Sequence, residues 1–143
     1  MQPAKTRIPT SEDLFEPEAW SHLLEQLDLV LTKVRDPTDS ESSDHLNGYR
    51  RSIAVRNLKL ERSQVLLKMH ALGLSQSIRM AGLTEPPTVQ IAARSLNIEL
   101  HVLAHAFEEC ANAAGARTKP AITTWLMNRS QVHHGQAMFL STL

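Results

Sequence analysis

The chain has 143 residues, no net charge at neutral pH and a hydrophobic content of 42%. That length suits one domain with a single core, and it is short for two. Aromatic residues make up only 4% of the chain, which argues against a β-sandwich, because strands are usually enriched in aromatic and β-branched side chains. The composition therefore favours an all-α fold.

Cysteine and hydropathy limit the class of protein further. The one cysteine, Cys110, excludes an intramolecular disulfide and argues against a cysteine-based zinc site. No apolar run follows the first basic residues, and no segment approaches the roughly 18 apolar residues of a membrane helix. These features predict a cytoplasmic protein with no signal peptide and no membrane contact.

The charges are distributed unevenly along the chain. Residues 1–44 carry four basic and ten acidic groups, whereas residues 45–82 carry seven basic groups and Glu61 as the one acidic group. This asymmetry has two explanations: the basic segment meets an external anion, or it meets the chain's own acidic N-terminal part. In the second case the N-terminal segment would block the basic helix in the free protein.

The N-terminal part is predicted to contain one amphipathic helix. Residues 1–16 show no period and are expected to be a tail, while Pro17 suits the first turn of a helix that begins near Glu18. A polar, acidic linker then divides the chain into residues 1–44 and a helical domain over residues 45–143.

A long helix is predicted from about residue 45 to residue 72, with Gly73 as its C-terminal stop. A helix of this length cannot bury every side within a small monomer, so dimer or partner contacts are expected along it. Its basic residues are spread around the helix and are candidates for contact with phosphate or with a partner's carboxylates: Arg50, Arg51, Arg56 and Lys59.

Shorter helices over residues 76–81 and 88–96 allow two helix-turn-helix frames. In the first frame, the helix over residues 88–96 reads DNA with Arg94 and Asn97. Asn97 is expected to adopt the left-handed conformation of a tight turn. In the second, the following helix, residues 98–115, is the reader, but its carboxylates would repel phosphate. Such spacings are common among packed helices, so ordinary helical packing is the preferred explanation of both. Two more helical pieces are expected over residues 121–128 and 131–143.

Histidine spacing raises the possibility of a metal site. His101 and His105 lie one helical turn apart, with Glu108 or Glu109 a turn further, and such a set can ligate zinc. His133 and His134 are candidates for an additional ligand. Surface or core-edge histidines are the preferred explanation, so neither a metal nor a cofactor is expected. No phosphate-binding glycine loop and no paired nucleophile and base are present, so the chain is not expected to be an enzyme.

Several motifs in residues 49–143 occur in an order that resembles a known family. These are "LLKMHALGL", closing a long helix; "SIRMAGLTEPPTVQIAARSLN", two short helices around a Leu-Thr-x-Pro turn; and "QVHHGQAMFLSTL", a closing helix with a His-x-Gly step. The pattern resembles the bacterial FlhD-like transcriptional activators, which include the flagellar master regulator subunit and activators of conjugative mobile elements.

The resemblance implies an all-α, helical dimerising domain with a helix-turn-helix-like segment. It implies a homodimer that joins an FlhC-like zinc-binding subunit in a hetero-oligomer, binds promoter DNA through that complex and recruits RNA polymerase. The residues expected near DNA are Arg79, Arg94, Asn97 and His70. His70-Ala71 stands where the family has an aromatic-Arg pair implicated in DNA binding, and a bridging cysteine of the family falls near His101. A disulfide-linked dimer is therefore not expected, and specificity would come chiefly from the partner.

A second hypothesis is a helical adaptor or chaperone with no DNA role. Its docking element would be the amphipathic N-terminal helix, with Trp20 as the anchor.

Overall fold

The computed structural model describes residues 11–35, 48–74, 89–90, 94–114 and 120–141. These residues form four helices and no strand, which confirms the all-α prediction. The helices are α1 (Ser11–Arg35), α2 (Gly48–Ala71), α3 (Leu96–Ala114) and α4 (Pro120–Ser141). None of the four combines the length and apolar character that a membrane crossing requires.

Helix α1 begins earlier than the sequence pattern predicted. It starts at Ser11, so the expected tail is wrong from that residue onward, and Pro17 lies inside the helix instead of in its first turn. Ser11 is followed by Glu12 and Asp13. A small polar residue followed by acidic residues is favoured at a helix start, since it offers acceptors to unpaired N–H groups and complements the helix dipole.

Helix α2 runs from Gly48 to Ala71, within the helix expected over residues 45–72, and Gly73 follows its end. The φ angle of Gly73 is +78°, a conformation that glycine adopts without steric cost. The N–H of Leu74 donates to the Met69 carbonyl at 2.8 Å, and that of Gly73 donates to the His70 carbonyl at 3.0 Å. This pair of bonds is a Schellman motif, which satisfies the last carbonyls of the helix.

The helix predicted over residues 88–96 is wrong at the residues that the structure describes there. Val89, Gln90, Arg94 and Ser95 are all outside helical structure. The N–H of Val89 donates to Oγ1 of Thr32 on α1 at 3.3 Å. The other predicted short helix, residues 76–81, lies outside the described residues.

Helix α3 begins directly after Ser95. The carbonyl of Ser95 accepts the N–H of Glu99 at 3.1 Å, which is the first bond of the helical ladder. Leu96 thus opens α3 as a core residue with 1% exposure. Asn97 lies in the first helical turn, so the expectation that it forms a left-handed turn is wrong.

Helix α4 is one continuous element, whereas the sequence suggested two pieces. Pro120 begins it, a position where the missing N–H of proline costs nothing. The helix runs through Ser130, which is buried with 3% exposure.

The four helices share one hydrophobic core. Helix α1 packs on α2 and α3, and α3 packs on α4, so α1 and α3 form the central pair. Trp20 is fully buried, which makes the apolar face of α1 part of the core. The hypothesis that Trp20 anchors a separate docking helix is therefore wrong. Each helix contributes to the core, through Trp20, Leu23, Leu27, Val30, Leu31 and Val34 of α1, Leu58, Val65 and Met69 of α2, Leu103, Phe107 and Cys110 of α3, and Leu126 and Ala137 of α4.

A buried ion pair joins α1 to α2. Nε of Arg62 donates to Oδ1 of Asp28 at 2.6 Å, and both side chains are almost fully buried. Burial raises the pKa of Asp28, although the hydrogen bond and positive charge of Arg62 oppose that rise. One basic residue of α2 thus meets the chain's own acidic N-terminal part, which is one of the two explanations offered for the charge asymmetry.

Replacing a core leucine of α1 should destabilise the fold much more than replacing an outward leucine of α2. We expect Leu27→Ala to lower the free energy of unfolding by about 2–5 kcal/mol, because it removes buried methyl groups and leaves a cavity. Leu67→Ala removes a side chain that is 57% exposed, and its effect should stay within about 0.5 kcal/mol. Urea denaturation followed by circular dichroism measures both. Equal effects would contradict the placement of α1 in the core.

Removing one partner of the Asp28–Arg62 pair should cost stability in a pH-dependent way. We expect Arg62→Met to lower the free energy of unfolding at neutral pH by about 3 kcal/mol, since it leaves Asp28 buried without its counter-charge. The loss should shrink as the pH falls toward about 4, because the pKa of Asp28 rises further in this variant and the protonated carboxyl needs no cation. Urea melts at several pH values test this, with Arg56→Met, at an exposed position of the same helix, as the control.

Candidate functional site

A groove of about 790 Å³ opens between α2 and α4, with residues of α1 and α3 also lining it. A concave site of this volume falls within the range of binding pockets, roughly 300–1,000 Å³. The packed helix pairs are α1 with α2, α1 with α3 and α3 with α4, so the groove lies at the position where a closed bundle would have its fourth interface. Its apolar lining comes from Val30, Val34, Ala54, Leu58, Leu60, Leu96, Leu100, Trp125, Val132, Phe139 and Leu140.

Four polar side chains of the groove lining contact one another, and two of them, Glu61 and His133, are buried. The Glu61 carboxylate of α2 is 2.8 Å from Nε2 of His133, and Nε of Arg129 donates to the same carboxylate; both partners belong to α4. Nδ1 of His133 in turn lies 2.8 Å from Oε1 of Gln136. We refer to Glu61, Arg129, His133 and Gln136 as the Glu61 network.

The Glu61 network is held rigidly from the core side. The His133 ring is 2% exposed and stacks on the Phe107 ring of α3, with the ring centres 5.6 Å apart and the planes 19° apart. A buried histidine with both ring nitrogens in hydrogen-bond contact has little freedom to turn. The network therefore offers a fixed arrangement of charge to whatever enters the groove.

A cation–π contact adds a second connection between α2 and α4. Nζ of Lys68 lies 4.2 Å from the centre of the Trp125 ring, a distance within the attractive range. Burial lowers the pKa of Lys68, and its ammonium also donates to Oε1 of Gln64 at 3.2 Å. Polar and cation–π contacts therefore link the two walls of the groove.

Large apolar side chains stand exposed along the edges of the groove. We use "groove rim" for Leu60 on α2 and for Val132 and Phe139 on α4, which are 60%, 40% and 60% exposed. Met138 on α4 and Leu67 on α2 are also exposed, at 63% and 57%. Large exposed apolar side chains beside a groove are a usual mark of a binding site for a protein or another apolar partner.

The structure gives Arg94, a predicted DNA-contacting residue, an intramolecular partner. Nε and Nη2 of Arg94 donate to the two oxygens of Glu99 at 3.0 and 2.9 Å. Glu99 is fully buried and also accepts a hydrogen bond from Nε2 of Gln26 on α1 at 2.9 Å. The first role of Arg94 is thus to neutralise a buried carboxylate that connects α3 to α1.

The other predicted nucleic-acid residues do not form one surface with Arg94 among the described residues. Asn97 is half-buried in the first turn of α3, where it accepts a hydrogen bond from the Ser95 hydroxyl. His70 is exposed in the last turn of α2. Arg79 lies outside the described residues, so its relation to them is a prediction that nothing here tests.

The basic residues of α2 differ in exposure. Arg56 is exposed, whereas Arg51 and Lys59 are half-buried. The side chain of Arg50 lies outside the described part of the chain. Phosphate or partner contact by these residues stays a prediction.

Neither helix-turn-helix frame forms as predicted in the described residues. The reader of the first frame is not helical at its described positions. The reader of the second frame is α3, whose Leu100, Leu103, Phe107 and Cys110 are buried in the core. A helix that packs on both α1 and α4 presents little of its surface to a DNA groove.

Sequence reasoning missed the Glu61 network as a unit. His133 was considered only as an additional metal ligand, and Glu61 only as a minor charge within a basic segment. Two signals were available: Glu61 is the one acidic residue of α2, and Arg129 and His133 are one helical turn apart on α4. Neither signal identifies the partner across the fold.

Comparison with known protein families, with characterised proteins and with solved structures finds no match to this chain. The FlhD-like resemblance therefore stays a prediction from the sequence motifs. The geometry of the groove is the independent ground for assigning a function.

Replacing Arg94 should destabilise the protein, whatever its effect on DNA. We expect Arg94→Ala to lower the free energy of unfolding by about 1–2 kcal/mol, because the buried Glu99 carboxylate loses its cationic partner; the half-exposed arginine keeps the effect modest. Arg56→Ala, at an exposed position with no corresponding role, is the control. Chemical denaturation of the two variants gives the comparison, and an unchanged Arg94→Ala protein would contradict a structural role for this arginine.

Proposed function

We propose that this chain is a regulatory subunit that acts by binding another protein in the groove between α2 and α4. The observation that carries this proposal is the exposed apolar groove rim, Leu60, Val132 and Phe139, beside a groove lined by all four helices. Burying such residues against a partner removes apolar surface from water, which is the main favourable term in protein association.

The partner element that suits this groove is an amphipathic helix. The groove runs between two helices, and a helix laid into it would bury its apolar side chains against the rim, as in other helix-in-groove complexes. The Glu61 network in the groove lining supplies polar partners that fix the register of such a helix, because a wrongly placed apolar group would desolvate charge. Hydrophobic anchors would set affinity, and the network would set specificity.

The wider role that we propose is that of an FlhD-like transcriptional activator subunit. In this role the chain forms a homodimer, joins an FlhC-like zinc-binding subunit, binds promoter DNA through the complex and recruits RNA polymerase. Two arguments support it: the ordered motifs of residues 49–143, and a surface suited to protein contact. Since Arg94 is engaged with Glu99, the proposal assigns most base reading to the partner.

A second candidate is an adaptor or chaperone that uses the same groove without any DNA. It is favoured by the conformation of the segment that was predicted to read DNA as a helix, because residues 89, 90, 94 and 95 are not helical. Both candidates require partner binding, and they differ in what the complex does afterwards.

Polar substitutions in the groove rim should abolish partner binding while the fold is retained. We expect the double variant Leu60→Ser/Phe139→Ser to retain less than about one-tenth of the partner that wild-type protein retains, since each serine removes an apolar anchor worth more than 1 kcal/mol. The measurement is co-purification of the tagged chain from its native cytosol, with the bound protein identified and quantified by mass spectrometry. Ile98→Ser, at an exposed apolar position of α3 outside the groove, is the matched control. Equal retention by all three proteins would contradict the groove as the docking site.

The purified complex then distinguishes the two candidates. An activator complex should shift promoter DNA, with an affinity that falls steeply as salt rises because phosphate contacts release counterions. A complex that retains its partner but does not shift DNA at low salt would contradict the activator and support the adaptor.

A further inference from the structure

A second cluster of polar side chains lies where α3 faces α4, apart from the groove lining. His105 and Glu108 of α3 and His134 of α4 each place one potential ligand atom within 4.8 Å of the others. Nδ1 of His105 is 3.6 Å from Oε1 of Glu108, and the rings of His105 and His134 meet edge to face with their centres 5.3 Å apart. Three metal-binding groups from two helices therefore converge on one small volume.

His101 holds the His134 ring from the neighbouring turn of α3. The Nδ1 atoms of the two rings are 3.0 Å apart, so one ring donates a hydrogen bond to the other. A hydrogen bond to one ring nitrogen fixes the orientation of an imidazole and is the usual support for a metal-binding histidine.

We propose that His105, Glu108 and His134 form a binding site for a divalent transition metal ion, with Zn²⁺ as the best fit. Two imidazoles and one carboxylate are a common protein ligand set for zinc, with the remaining position taken by water. Mg²⁺ and Ca²⁺ prefer sites built of oxygen ligands, so this nitrogen-rich set should discriminate against them.

The position of the cluster agrees with such a site in two respects. The side chains of His105 and Glu108 are 67% and 42% exposed, so an ion can reach them from solvent. The ligands come from both α3 and α4, so a bound ion would cross-link two helices that already pack together, and binding would add directly to the stability of the folded state.

Zinc binding by the purified full-length chain is the test. We expect one equivalent of Zn²⁺ per chain in titration calorimetry, and a thermal midpoint that rises with added Zn²⁺, falls again with a chelator and does not respond to equimolar Mg²⁺. His134→Ala and His105→Ala should each weaken Zn²⁺ binding at least tenfold and remove the thermal shift. His22→Ala, at an exposed histidine of α1, should leave both unchanged.

Two outcomes with the wild type and the histidine variants would overturn the site. The first is wild-type protein that binds no Zn²⁺ at micromolar concentration. The second is His134→Ala protein that binds it as tightly as the wild type. Because His134→Ala could disturb the packing of α3 on α4, Glu108→Gln provides a nearly isosteric variant on the exposed side of the cluster. Unchanged Zn²⁺ affinity in Glu108→Gln would remove the carboxylate and with it the proposed ligand set.

Discussion

A buried carboxylate has to find its hydrogen-bond partners within the protein, and three such carboxylates determine how the helices of this chain are connected. Each lies on a different helix and takes a partner from another helix. The contacts, in the order of the helices that they join, are Asp28 of α1 with Arg62 of α2, Glu99 of α3 with Gln26 of α1, and Glu61 of α2 with Arg129 and His133 of α4. Apolar burial alone would allow the helices to slide past one another. These pairs favour a single register, because a shifted helix would leave a buried charge without its partner.

The third of these contacts explains why a groove exists at all. Helices α2 and α4 are connected by the Glu61 network and by Lys68 on Trp125, whereas α1 with α2, α1 with α3 and α3 with α4 also pack directly against each other. Polar bridges hold two helices at a distance without filling the volume between them. The apolar side chains on either side of the bridges are left in contact with water, which makes this face of the fold the natural one for a partner.

The sequence predicted some elements well because their signals are local. The end of α2 depends on Gly73 and its positive φ, and a glycine at this position is visible in the sequence itself. The inward face of α2 could not be predicted in this way, since Glu61 and Arg62 occupy two of its inward positions and a hydrophobic pattern counts both as polar. Leu60 and Leu67, conversely, are apolar and yet exposed.

The error over residues 88–96 has a different character. The pattern of small and apolar residues there suits a helix, but Val89 bonds to Thr32 on α1, and Arg94 pairs with the buried Glu99. No local signal reports the position of Thr32, which is 57 residues away, and the burial of Glu99 depends on the packing of α3 on α1. The following helix was expected, and it begins at Leu96.

The burial of Cys110 has a practical consequence for experiments on this protein. The thiol is fully buried in the core, and burial raises its pKa well above the usual range, so the reactive thiolate is scarce at neutral pH. The natural chain should therefore react very slowly with thiol-directed reagents while it is folded. A single cysteine introduced at an exposed position such as Met138 would take up a fluorophore or spin label selectively, and labelling of Cys110 itself would report unfolding.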